Sequence, residues 1–129
     1  MIENVILKKT YSFSICSVKF CYEMQRREKE FIITRQLLKS STSIGANMEE
    51  AQGAISGAEF VCKTQISLKE AKETHYWLRI LSDSEIADPD LVKPMLRECA
   101  EIIAILTAIL RTAKSNLKSN DTKATFRDR

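Results

Sequence analysis

Apolar residues recur along this chain at helical spacing, and no stretch alternates with the period of two that a half-buried strand requires. Phe13, Cys16, Phe20 and Met24 fall about one turn apart and predict a first helix from near Thr10 or Ser12 to about Arg27, left through the charged cluster Arg26 to Glu30. A second helix is expected from about Phe31 to Gln52, about 33 Å long at 1.5 Å per residue. Its inward stripe, Leu37, Ser41, Ile44, Met48 and Ala51, is spaced by four, three, four and three. Short side chains at Ser40, Ser43, Ala46 and Asn47 beside this stripe let a neighbouring helix come close, so added volume at Ser43 or Ala46 is expected to disrupt packing. Gly53 and Gly57 end the helix. Ser56, followed three residues on by Glu59, forms a capping box that opens a third helix running to about Ser82. Asp88 as N-cap and Pro89 in the first turn open a fourth, to about Leu117, with Met95, Cys99, Ile102, Leu106, Ile109 and Ala113 in a four-three rhythm. Pro94 is close enough to the start to be tolerated. Leu96, Ile103, Leu110 and Leu117 add a second stripe on this helix, either a wide core-facing surface or an interface with another copy.

Short connections make sequential helices antiparallel neighbours, so the pattern predicts an all-α, up-down-up-down four-helix bundle. At 129 residues one domain is expected, with the bundle over 1–117 and a polar, mobile tail over 118–129. No apolar run approaches the 18 or so residues of a membrane span, and the N-terminal apolar run is brief and flanked by charge, which predicts a cytoplasmic protein without a membrane partner. Cys16, Cys21, Cys62 and Cys99 are far apart and form no Cys-x-x-Cys pair, so they read as small buried apolar groups.

Twenty Lys and Arg stand against 17 Asp and Glu, a net +3 that makes no strong case for a nucleic-acid partner over the chain as a whole. Placement matters more. In an up-down-up-down bundle the start of the first helix and the end of the fourth share a pole. That is expected to gather Lys8 and Lys9 with Arg111, Lys114 and Lys118, joined by Lys123, Arg127 and Arg129 of the tail. Asp83, Glu85, Asp88 and Asp90 collect at the other pole. Only Tyr11 and Phe126 punctuate the basic cluster, so contact with a phosphate backbone is favoured over base stacking.

Catalytic chemistry finds little support. Bundles that hold two metal ions use Glu-x-x-His pairs, whereas here the single histidine, His75, has Lys72 three residues before it. No metal site and no cofactor are expected. His75 is also the only imidazole available to activate a Ser or Cys, and no third orienting group accompanies it. Gly53-x-x-x-Gly57 lacks the preceding strand and following Lys of a phosphate loop. Carboxylates are expected instead in a structural polar network of Arg35, Ser43, Asn47, Glu50, Glu70, Glu73 and Arg79 between helices, with Lys69 and Glu49 nearby. The chain therefore reads as a non-enzyme.

The run Arg35-Gln36-Leu37-Leu38-Lys39-Ser40, then Ser43-Ile44-Gly45-Ala46-Asn47 and Glu49-Glu50-Ala51, then Phe60, Ser67 through Thr74 and Tyr76-Trp77-Leu78, resembles a family of bacterial four-helix bundle proteins. These are linked by name to intervening sequences in 23S ribosomal RNA genes. The resemblance spans nearly all of residues 10–115. It implies a left-handed antiparallel bundle that assembles as a ring, a homopentamer, as in the accessory proteins of diversity-generating retroelements that are similar in fold. A ring would multiply a modest basic pole into a collar for RNA or DNA. The alternative reading is a protein-binding adaptor that recruits a partner enzyme without touching nucleic acid. His75 and the segment after Leu117 match no motif of the family and inherit no role.

Overall fold

A computed structural model describes the helical course of residues 2–127 and the side chains of residues 5–119. It contains four helices and, among the described residues, no strand: α1 (Ile2–Glu28), α2 (Ile32–Gln52), α3 (Gly57–Asp83) and α4 (Pro89–Arg127). Each helix packs on the next and α4 returns to α1, with α1 and α4 meeting least closely; among the described residues the backbones of diagonal helices do not come close. The directions follow from the cross-contacts. Ser67 on α3 donates to the carbonyl of Ile44 on α2 at 2.8 Å, and seven residues later Thr74 stands 2.8 Å from Ser40, so the two helices run antiparallel. Cys99 Sγ on α4 lies 3.3 Å from the carbonyl of Ala71 on α3.

Two helix ends differ from the sequence expectation. Helix α1 begins at Ile2 rather than near Thr10, because nothing between 2 and 28 breaks a helix and Ile6 and Thr10 are fully buried, giving the added turns a packed face. Helix α4 continues past Leu117 to Arg127, with neither Gly nor Pro after Pro94 to stop it. The side chains from Asn120 onward, and all of Asp128 and Arg129, lie outside the described residues.

The core is formed by Ile6, Leu37, Ile44, Met48, Leu78, Leu81, Val92, Ile102 and Leu106, all fully buried. The second stripe of α4 belongs to it as well. Leu110 is buried, and Leu96 and Ile103 pack against the same cluster, so these three fit the wide-core reading, while Leu117 lies half-buried beside Gly57. Buried hydroxyls form a second layer: Thr10, Thr34, Ser40, Ser41, Thr64, Ser67 and Thr74. These seven return their protons to carbonyls three or four residues back or across to the neighbouring helix, whereas the equally buried Ser17 Oγ, like the Trp77 indole N–H, has no partner among the described residues.

Helices α1 and α2 come close at Gly45. A Cβ placed there would stand 3.3 Å from the Thr10 side chain and 3.4 Å from its backbone, tighter than ordinary contact. Ala46 is exposed, and the half-buried Ser43 turns its hydroxyl back to the Lys39 carbonyl at 2.7 Å. The expected intolerance at Ser43 and Ala46 is therefore corrected to Gly45: the helix is rotated so that glycine, not its neighbours, faces α1.

Capping fixes the turns. Ser56 Oγ accepts from the Glu59 amide at 3.1 Å, and Glu59 reaches back to the amide of Ile55 at 3.0 Å, one residue before the expected partner. Asp88 accepts from the Asp90 amide at 3.0 Å. At the start of α2, Glu30 accepts from three successive amides, those of Ile32 (3.1 Å), Ile33 (2.8 Å) and Thr34 (2.8 Å). Both turns at this end of the bundle contain a non-glycine residue in the left-handed region, Lys29 at φ 55° and Glu85 at φ 61°.

Candidate nucleic-acid interface

The positive charge of the chain is concentrated at the end of α4. Residues 111–129 contain six basic and two acidic side chains, a surplus of four that exceeds the +3 of the entire chain. Arg111, Lys114 and Lys118 follow one another at spacings of three and four, which aligns them along one face of the helix. Arg111 and Lys114 are exposed, and Lys118 stands at the surface one residue beyond Leu117. Leu117 marks the level of the α2–α3 turn, since its Cδ1 lies 3.4 Å from where a Cβ on Gly57 would be. This basic face therefore lies where α4 passes the end of the bundle.

Lys9 does not join it. Its ammonium lies 2.8 Å from Glu101 and 3.4 Å from Glu98, on the middle of α4. The Glu101 hydrogen bond, opposed by partial burial and helped by the charge of Glu98, holds the Lys9 pKa above its ordinary value. Glu101 precedes Arg111 by ten residues, about 15 Å of helix. Because α1 starts at Ile2, Lys8 and Lys9 are displaced along the bundle from the pole, and Lys9 is neutralised by its partners. Glu49 and Glu50 lie near the α2–α3 turn, and Lys63 is engaged with Glu50 at 3.7 Å. The expected five-residue basic pole thus reduces to the α4 face.

The expected polar network is not assembled either. Asn47 Nδ2 donates to the Ser43 carbonyl at 2.8 Å within its own helix. Arg35 and Arg79 are exposed and lie over the rings of Phe31 and Tyr76, each 5.7 Å from the centroid. Glu50 pairs with Lys63. Only Glu70 and Glu73 act on each other: burial first, then the Glu73 charge, pushes the Glu70 carboxyl upward. What links α2 to α3 is the hydroxyl layer of Ser40, Thr74 and Ser67. Its signal in the sequence was Thr64, Ser67, Ala71 and Thr74 at three-four-three spacing on α3, opposite the small residues of α2.

Other reactive groups are scattered. Burial, with a contribution from Arg79, lowers the pKa of His75. Cys21 and Cys99 are buried, and desolvation pushes both thiols up to about 12, with the Glu30 charge adding to it at Cys21. Cys16 and Cys62 are exposed, so the expectation of four buried thiols holds for two of them. Among the described residues no three His, Cys, Asp or Glu side chains come together as a metal site, and no helix is long and apolar enough to cross a membrane.

Among the described residues, the basic end of α4 carries no exposed large apolar side chain. Tyr11, Ile15 and Tyr22 are exposed along one line of α1, with Val18 between them. Phe31, Ile32, Ile86 and Leu91 are exposed at the pole opposite the basic face.

Comparison with known proteins adds two findings. The family model described as 23S rRNA-intervening sequence protein matches residues 3–108. A crystal structure from Bacteroides thetaiotaomicron, described as a protein with unknown function from the S23 ribosomal protein family, is similar over 86% of this chain and 99% of its own. The two share 37% identity with a TM-score of 0.84. No curated protein matches.

Proposed function

The chain belongs to the family of 23S rRNA-intervening sequence proteins, and from that premise we propose that it is a non-enzymatic, cytoplasmic, ring-forming bundle that holds an RNA or DNA backbone on the basic face of α4. The observation that carries this reading is the concentration of charge: a surplus of four positive charges in the last 19 residues, with Arg111, Lys114 and Lys118 on one face of a helix. Arg and Lys contacts to phosphate release counterions, so affinity is independent of sequence and falls steeply with salt. One such face makes few contacts. A homopentamer, as the family resemblance implies, repeats it five times and turns weak contacts into avidity. The outward line of Tyr11, Ile15 and Tyr22 on α1 supplies apolar surface for that ring, since Leu96, Ile103 and Leu110 of the α4 stripe are absorbed by the core.

A titration of duplex and single-stranded RNA and DNA at two salt concentrations tests the reading. Arg111→Glu with Lys114→Glu is expected to weaken binding about tenfold or more and to flatten the salt dependence. Lys69→Glu, exposed in the middle of α3, is expected to leave both nearly unchanged. Light scattering gives the subunit number. A wild-type protein that binds no nucleic acid at low salt removes this reading in favour of a protein-binding adaptor, which the exposed apolar pole of Phe31, Ile32, Ile86 and Leu91 supports.

A further inference from the structure

The two poles of the bundle are chemically opposite. At the α1–α2 and α3–α4 turns an open cleft of ≈ 520 Å³ is lined by Glu28, Lys29, Glu30, Phe31, Ile32 and Ile86. Ile32 is 79% exposed and Leu91, on the first turn of α4, 62%. Such side chains gain by being covered, at about 25 cal/mol per Å² of apolar surface removed from water. Charge restricts what can cover them. Between residues 80 and 92 there are four acids, Asp83, Glu85, Asp88 and Asp90, and no basic residue. Asp83, Glu85 and Asp88 are exposed and form no ion pair among the described residues, and Asp90 has Lys93 at 3.8 Å. The mixed cluster across the cleft is largely balanced within itself, since Arg26 and Arg27 both engage Glu23. An occupant of this pole must therefore bring positive charge to the α3–α4 turn, with apolar surface of the kind that the methylene stems of Lys and Arg supply.

The chain itself carries one. We propose that the acidic, apolar pole of one copy docks the basic end of α4 of a second copy, in a head-to-tail contact. The α4 end bears Arg111, Lys114 and Lys118 on one face and continues as helix to Arg127, past the level at which the neighbouring helices turn. Its surplus of four positive charges equals the four acids of the α3–α4 turn in number and is opposite in sign. The contact joins two different surfaces, so each docked pair still presents one free pole of each kind and association proceeds to stacks or open chains. It shares the α4 face with the nucleic-acid reading without depending on nucleic acid, and phosphate backbone and acidic pole would compete for that face.

Sedimentation velocity on the full-length protein without nucleic acid, over a range of concentrations at low and high salt, tests it. Mass is expected to grow with concentration at low salt and to stop growing at high salt. Asp83→Lys with Glu85→Lys on the acceptor pole, and Arg111→Glu with Lys114→Glu on the donor end, are each expected to weaken the growth about tenfold, the size of two exposed ion pairs. Thermal unfolding of each variant checks that the bundle is intact. Mixing the two charge-reversed proteins is expected to restore association between them, a result that unfolding of either could not give. A mass independent of concentration overturns the proposal, as does growth that both variants leave unchanged. A protein that binds nucleic acid yet does not grow retains the first reading and loses this one.

Discussion

At Gly45 the absence of a side chain is a packing requirement rather than a matter of backbone conformation, since no glycine in the chain has positive φ. Thr10 fills the space in front of it, and the Thr10 hydroxyl is held by the carbonyls of Ile6 at 2.8 Å and Leu7 at 3.2 Å, so neither partner can yield freely. Gly45→Leu is expected to force α1 away and to cost about 1–3 kcal/mol, lowering the melting temperature by several degrees. Ala46→Leu, one residue along and exposed, is expected to stay within about 0.5 kcal/mol of wild type. Thermal unfolding of the two variants separates these outcomes. The sequence located this segment as a place of close approach but misassigned its centre by one residue. Small side chains at 40, 41, 43, 45, 46 and 47 surround the helix almost completely, and a face so evenly small has no large residue on its outer side to fix its rotation. Only the partner, Thr10, decides which small residue points inward, and the sequence pattern predicts α1 to begin only near Thr10, with no local signal of the turns that precede it.

The helices themselves were legible because their signals are local: the four-three rhythm of α2 and α4, the Ser56–Glu59 box, and Asp88 before Pro89. The cap of α2 was not, since Glu30 lies inside a charged cluster that read only as an exit from α1. Its carboxylate holds three amides, placing a negative charge on the positive end of the helix. Burial pushes the Glu30 carboxyl up, but the hydrogen bonds from Ile33, Thr34 and Ile32 outweigh it and leave the pKa below the ordinary 4.5. A carboxylate whose folded pKa is depressed stabilises the fold above its unfolded pKa, and that contribution disappears as pH falls through the folded value. Glu30→Gln is therefore expected to cost about 1 kcal/mol at neutral pH. The gap between variant and wild type should begin to close below about pH 4.5, where protonation gives the wild type a neutral cap as well. Denaturant unfolding at pH 7 and at successively lower pH measures that gap, and a constant difference would show that the charge at Glu30 contributes nothing.

The position of the basic pole is set on the scale of the whole molecule, by where α1 begins relative to α4, a distance no local sequence pattern reports. The early start at Ile2 moves Lys9 inward to Glu98 and Glu101, and that ion pair spans the side of the bundle where two helices meet least closely. Helix α1 packs on α2 and only lightly on α4, whereas α2 and α3 are each gripped on both sides and share the buried contacts of Ser67, Ser40 and Thr74. Local opening follows the least-packed element. In hydrogen exchange, the amides of α1 are expected to exchange faster than those of α2 and α3, and Lys9→Glu, which sets like charges against Glu98 and Glu101, is expected to speed α1 further while leaving α3 unchanged. The same measurement reads the outer face of α1: if Tyr11, Ile15 and Tyr22 seal a ring, protection across 11–22 should rise with protein concentration. Exchange in α1 as slow as in α3 at every concentration would mean that the α1–α4 edge is not the weak side of this bundle.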